Sequence, residues 1–158
     1  MTTLTGRTPG VDHFSGAQLL RTLHLFASDP ELPELLDLRA DRRQRRELVE
    51  TPYLQVWLVS WPVGAGSGWH DHRGAHGAHV VVRGELTEHS WFGGLHEERL
   101  DHEGRAFGGS HVHELVNAGH RVALSLHASA PARGVSRYVL RDGRLESVES
   151  LEPLIRRG

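Results

Sequence analysis

Apolar residues recur in two rhythms along this chain, and the change falls near residue 50. Between residues 15 and 28, Leu19, Leu20, Leu23 and Phe26 repeat at helical spacing; Ser15 can cap the start and Pro30 closes the segment. A second, shorter helical stretch is expected from residue 32 to about 38. Residues 41–50 are densely charged, with Arg42, Arg43, Arg45 and Arg46. That run reads either as a solvated face or as a place where an anionic substrate meets an arginine.

From Tyr53 the pattern turns to β. Residues 53–61 are aromatic and β-branched, and 79–83, 86–92, 112–116, 122–127 and 136–140 are further strand-like runs. Glycines at 64–68, 93–94 and 108–109 mark turns, and Asp142-Gly143 between two short runs is a hairpin signal. Helices followed by roughly eight to ten short strands predict a mainly β sandwich or barrel of the jelly-roll class, which includes the cupins. The expected organisation is a single cupin domain over 1–158. Short N-terminal helices occupy about 1–50, a β-barrel spans 51–148, and the tail from Pro153 is expected to fray.

Composition narrows the function classes. At 158 residues the chain can bury one core without staples, and its 38% apolar and 24% charged residues suit a globular domain. A net charge of -2 gives no basic field for nucleic acid or an anionic membrane. The Arg42–Arg46 cluster is offset by Asp41, Glu47 and Glu50. No Cys is present, which excludes a disulfide scaffold, a thiolate metal site and a Cys nucleophile. No apolar run approaches the ~18 residues of a membrane span, and residues 1–10 lack the apolar stretch of a signal peptide. The expectation is a cytoplasmic protein, monomer or homodimer.

The chain carries 13 His, several of them closely spaced. Alternate side chains of a strand share a face, so His70 and His72 can both point inward and clamp one ion. A third ligand is needed, and the later pair His111 and His113 offers it. Three His without thiolate suit Fe, Zn, Cu, Ni or Mn, and open positions mark a catalytic site. The segments match the two cupin motifs: Gly64, five residues, His70-x-His72 and Gly84 downstream; then His113, three residues and Asn117. That spacing favours His113 over His111. The carboxylate that usually follows His-x-His is missing, and Gly77 stands about where it would fall. Asp71 is expected to orient a ligand or the loop, and Trp61 and Trp69 to pack in the core.

Residues 68–72, 77–88, 113–117 and 125–131 together resemble the cysteine dioxygenase family of thiol dioxygenases. The likeness runs from about Arg45 to Tyr138. It implies Fe(II) held by His70, His72 and His113, with a small thiol and O2 as partners and a sulfinic acid as product. It also implies an arginine that clamps the substrate carboxylate, for which Arg46 aligns best and Arg45 is the alternative. Ser125 and His127 fit the first two members of the family's Ser-His-Tyr relay. Ser129 stands where the Tyr is expected, and Gly77 replaces the Cys that crosslinks to it in some members. The resemblance therefore implies an Fe(II) dioxygenase acting on cysteine or a 3-mercaptopropionate-like thiol. Ser129 keeps two alternatives open: an iron cupin retuned for another thiol or metabolite, and a non-catalytic metal- or ligand-binding cupin.

Overall fold

The computed structural model describes residues 14–149. The stretch expected to be a non-signal N-terminus and the tail from Pro153 lie outside the described residues. The helix at 15–28 is present as α1 (Gly16–Ala27). Its capping box is complete: the Gln18 backbone N–H donates to Ser15 Oγ at 3.2 Å, and the Ser15 N–H donates to Gln18 Oε1 at 2.8 Å. The second expected helix is a single 3-10 turn, Leu32–Leu35, so among the described residues the N-terminal region holds one α-helix rather than several.

Residues 44–50 are not part of that helical region. They form β1 (Gln44–Glu50), paired antiparallel with β2 (Gln55–Trp61), so the barrel begins before residue 51. β1 is the edge of its sheet, where charged side chains block pairing with another chain. The charge density that disguises this strand is the property that suits it to an edge.

The remaining strands are β3 (Trp69–Asp71), β4 (His76–Arg83), β5 (Leu86–Trp91), β6 (Leu95–Leu100), β7 (Arg105–Phe107), β8 (His113–Val116), β9 (Ala123–Ala130), β10 (Ser136–Arg141) and β11 (Arg144–Ser147). They make a five-stranded sheet in the order β1-β2-β9-β4-β7 and a six-stranded sheet in the order β11-β10-β3-β8-β5-β6. The turn between β10 and β11 has φ of 50° at Asp142 and 72° at Gly143. Positive φ at both central residues is the requirement of the tight hairpin turn that Asp-Gly signals.

The five-stranded sheet is buried on both faces, which explains the unbroken burial along β9. On one face Val56, Leu58, Val80, Leu124 and Leu126 pack under Leu19 and Leu23 of α1. On the other, Trp57, Val59, Trp61 and Val81 meet Leu86 and Leu115 of the second sheet. The inward positions of β9 are therefore Ala123, Ser125, His127 and Ser129, three of them polar and all buried. Among the described residues no helix is long and apolar enough to cross a membrane.

Candidate metal centre

The glycine-rich loop at 64–68 is zipped to the end of β8. Ser67 N–H donates to the Leu115 carbonyl at 2.9 Å, and Asn117 N–H to the Ala65 carbonyl at 2.8 Å. Asn117 also donates its side-chain amide to the Trp61 and Arg121 carbonyls, at 2.8 Å each, so the motif asparagine fastens loops. This stitching sets β3 against β8 with His70 directly opposite His113. His72, just past the end of β3, shares the face.

One ring nitrogen from each of His70, His72 and His113 lies within 4.8 Å of the others. The hydrogen bonds choose which nitrogens those are. His70 Nδ1–H donates to the Gly68 carbonyl at 2.9 Å, and His113 Nδ1–H donates to Glu88 Oε2 at 2.7 Å. Both therefore present Nε2 with its lone pair free. His113 Nε2 is buried with no hydrogen-bond partner. A buried polar atom in that state is costly unless something binds it, and a divalent metal fits both the orphan and its all-imidazole neighbours.

The electrostatics agree. Burial is the main cause that lowers the pKa of all three histidines; for His72, with help from the neighbouring His70, it falls to about 3. Neutral imidazole is the form that ligates metal. Burial alone would raise the Glu88 pKa, but donors from His111, His113 and His79 outweigh it and hold the carboxyl far below its usual range. Glu88 Oε2 accepts from His79 Nε2 at 2.9 Å and His111 Nε2 at 3.2 Å as well, and Oε1 from Arg105 Nη1 at 2.8 Å. Arg105 pairs outward with Glu98. His111, the alternative third ligand, thus serves the carboxylate that orients His113. Although His79, Glu88 and His113 also lie close enough to hold an ion, their polar contacts are hydrogen bonds to one carboxylate. We read them as the support behind the first site.

Gly77 accounts for the missing carboxylate. A Cβ there would lie 2.2 Å from Cζ of Phe107. The Phe107 ring packs on His72 and His113 with centroids at 5.4 and 4.9 Å. An aromatic ring fills the space a fourth protein ligand would need.

Facing the three imidazoles across a cavity of about 120 Å³ is the inner face of the other sheet. Trp61 Nε1–H donates to Ser125 Oγ at 2.7 Å, so the Ser125 hydroxyl donates its own proton to His127 Nε2 at 2.6 Å. The Trp57 ring stacks on His127 at 5.5 Å and 12°. Trp61 lines the cavity and fixes Ser125, beyond the packing role expected; Trp69 is buried edge-on to Trp91 as a core residue. Ser129 is buried on the same inward face, opposite Gly77 in register. Tyr138 does not take the place of the missing Tyr. Its hydroxyl donates to Asp71 Oδ2 at 2.5 Å, on the opposite face of β3 from the ligands, and Asp71 also receives the Arg73 N–H. His76 is exposed.

The arginine assignment changes. Arg46 pairs with Leu58, whose side chain faces α1, so Arg46 points away from the cavity. Arg45 pairs with Val59 and lines it, with its guanidinium 4.3 Å from the Trp57 ring centroid. Arg43, from the same charged run, also lines the cavity, as does Arg137, to which no sequence signal points. Strand parity separates Arg45 from Arg46 only once β1 is known to be a strand. Glu88 had a signal: it alternates with Leu86 on a face that should be apolar.

The family model for cysteine dioxygenase type I matches residues 17–139. No curated protein matches the chain significantly. Solved structures are similar in fold. An uncharacterized protein with a double-stranded β-helix domain from Klebsiella pneumoniae has a TM-score of 0.55 at 16% identity, over 73% of this chain and 91% of that one. An oxalate oxidase has 0.58 at 15%, over 83% and 74%. A cupin superfamily protein from Desulfitobacterium hafniense has 0.55 at 14%, over 65% and 91%. At such identities these neighbours establish the cupin architecture and nothing finer.

Proposed function

The chain belongs to the cysteine dioxygenase type I family, and from that premise we propose that it is an iron(II)-dependent dioxygenase. It converts a small carboxylated thiol and O2 to the sulfinic acid, both oxygen atoms ending on sulfur. The observation that carries this reading is the orphaned Nε2 of His113, aimed with His70 and His72 at a cavity whose rim bears arginine. Iron(II) bound there would lower the pKa of the thiol and supply the one-electron chemistry that sulfur and O2 lack together.

The protein's own groups do the rest. Glu88 and the Gly68 carbonyl hold two ligand rings in one tautomer and orientation, so the site is preformed. Arg45 can fork onto the substrate carboxylate, fixing the sulfur at the imidazoles by holding the other end of a short molecule. His127 is kept neutral by burial. It is therefore a poor store for the thiol proton. Its role in this reading is to accept the Ser125 proton at Nε2 and keep that hydroxyl in one orientation. Trp57 and Trp61 cover the pair and exclude water.

Ser129 favours a second reading, in which the site is retuned for a different thiol. One experiment tests the reaction for both. The purified protein is loaded with iron(II) under nitrogen, and O2 uptake is followed with a panel of thiols while sulfinate is detected by mass spectrometry. Iron-dependent uptake yielding one sulfinate per O2, abolished in His113→Ala, is the expected result. One iron bound and no uptake with any thiol would refute the dioxygenase reading.

A further inference from the structure

The charge around the cavity is lopsided. Three guanidiniums line it, from Arg43, Arg45 and Arg137, and among the described residues no carboxylate does. They stand on two walls. Arg45 lies on β1, the edge of the five-stranded sheet, with Arg43 just before that strand, and Arg137 on β10 is paired directly opposite His70. Arg45 is already tied to Glu47. Arg43 lies over the Trp61 ring at 5.1 Å, and Arg137 donates to the Ser67 carbonyl at 3.3 Å. Among the described residues neither pairs with an acid. One carboxylate occupies one fork. A thiol whose single carboxylate meets Arg45 would leave Arg43 and Arg137 without an anion.

We propose that this cavity selects a small thiol carrying two carboxylates and no amino group. The thiolate faces His70, His72 and His113; one carboxylate meets Arg45, and the second is shared by Arg43 and Arg137. The Arg43 guanidinium is already held below its usual pKa by burial and then by the Arg137 and Arg45 charges, a repulsion that a second anion relieves. An ammonium group meets the reverse: neutral imidazoles and the guanidiniums of Arg43 and Arg137, neither of them paired with an acid among the described residues, while the Glu47 carboxylate is already engaged by Arg45. The cavity, about 120 Å³, suits a small metabolite.

This inference rests on the reading of the cavity as a thiol site, and its test keeps the two apart. Iron(II)-loaded protein is titrated calorimetrically under nitrogen, where no turnover occurs. The ligands are mercaptosuccinate, its two monocarboxylate halves 3-mercaptopropionate and 2-mercaptopropionate, cysteine and cysteamine. Mercaptosuccinate is expected to bind roughly tenfold tighter than either half, the worth of one charge-assisted hydrogen bond. Cysteine and cysteamine are expected to bind most weakly. Arg43→Gln and Arg137→Gln should each remove most of the margin while leaving 3-mercaptopropionate within about twofold, as expected when Arg45 alone holds a single carboxylate. Equal binding of either half, a margin that survives both variants, or no binding of any thiol would overturn the proposal. O2 is then admitted. A dicarboxylate preference without sulfinate refutes the reaction and leaves the selectivity standing; sulfinate without the preference does the opposite.

Discussion

Glu88→Gln is the most informative single substitution. The side chain keeps its shape, but the carboxylate becomes an amide with one acceptor and one donor end. Glu88 Oε2 accepts from three imidazoles and Oε1 from Arg105. If the amide oxygen takes the imidazoles, its NH2 confronts Arg105; if it turns, the NH2 confronts three ring N–H groups. Either way buried donors face a donor, and the charge that compensates Arg105 is gone. A hydrogen bond to a charged group is worth about 1.5–3 kcal/mol, and breaking one side of a buried ion pair costs about 3–5. Arg105 is 35% exposed and keeps Glu98, which moderates the second figure. We expect a loss of about 2–4 kcal/mol, a large part of the ~5–15 typical of a domain. Urea unfolding of the metal-free protein, followed by tryptophan fluorescence, reads it. Because His113 also loses its orienting acceptor, metal affinity should fall about 10–100-fold. Arg105→Gln should cost only about 1 kcal/mol, since three donors to Glu88 remain. A Glu88→Gln loss below about 1 kcal/mol with unchanged metal affinity would refute the role given to this carboxylate.

Other substitutions separate the parts of the molecule. Gly77→Ala drives a methyl into Phe107 and the ring against His72 and His113; we expect a loss of about 1–3 kcal/mol and weaker metal binding by competitive chelator titration. Arg45→Gln should raise the thiol Kd or KM roughly tenfold, while Arg46→Gln, on the far face of β1, should leave both unchanged; equal effects would contradict the register. The His89 pKa is raised: burial opposes, but bonds to Glu114 and Glu97 prevail. Its contribution to stability is therefore complete below the unfolded value near 6.5 and is lost as pH rises through the higher folded value. His89→Ala should cost about 0.5 kcal/mol at acid pH and less above that range, measured by denaturant midpoints across pH. Leu23→Ala beneath the five-stranded sheet should cost about 2–5 kcal/mol with metal stoichiometry intact.

The barrel, α1 and the three metal-facing histidines are legible from spacing because each depends on local periodicity. The His-x-His segments declare their shared face by strand parity alone, and Asp142-Gly143 declares its turn by φ. What stays hidden depends on pairing between distant segments. β1 looks like a charged loop until β2 is set beside it, and Arg46 then exchanges places with Arg45. Arg137 acquires meaning only by lying across from His70. Glu88, His79, His111 and Arg105 come from three strands and the loop before β8, and no spacing rule joins them. Gly77 reads as a missing ligand, whereas its observed role is to make room for Phe107.

The division of labour between the sheets has a further consequence. The clustered histidines sit on β3, just after it and on β8, while Ser125, His127 and Arg45 ride on β9 and β1 of the other sheet. What sets the gap between them is the layer of Val59, Val81, Leu86 and Leu115. That apolar filling therefore acts as a spacer gauge between the two halves of the site. Adding or removing a methylene there changes how far the hydroxyl and the guanidinium stand from the three imidazoles without altering any polar group. The span of substrate accepted can drift through core volume alone, while the inventory of site residues stays constant.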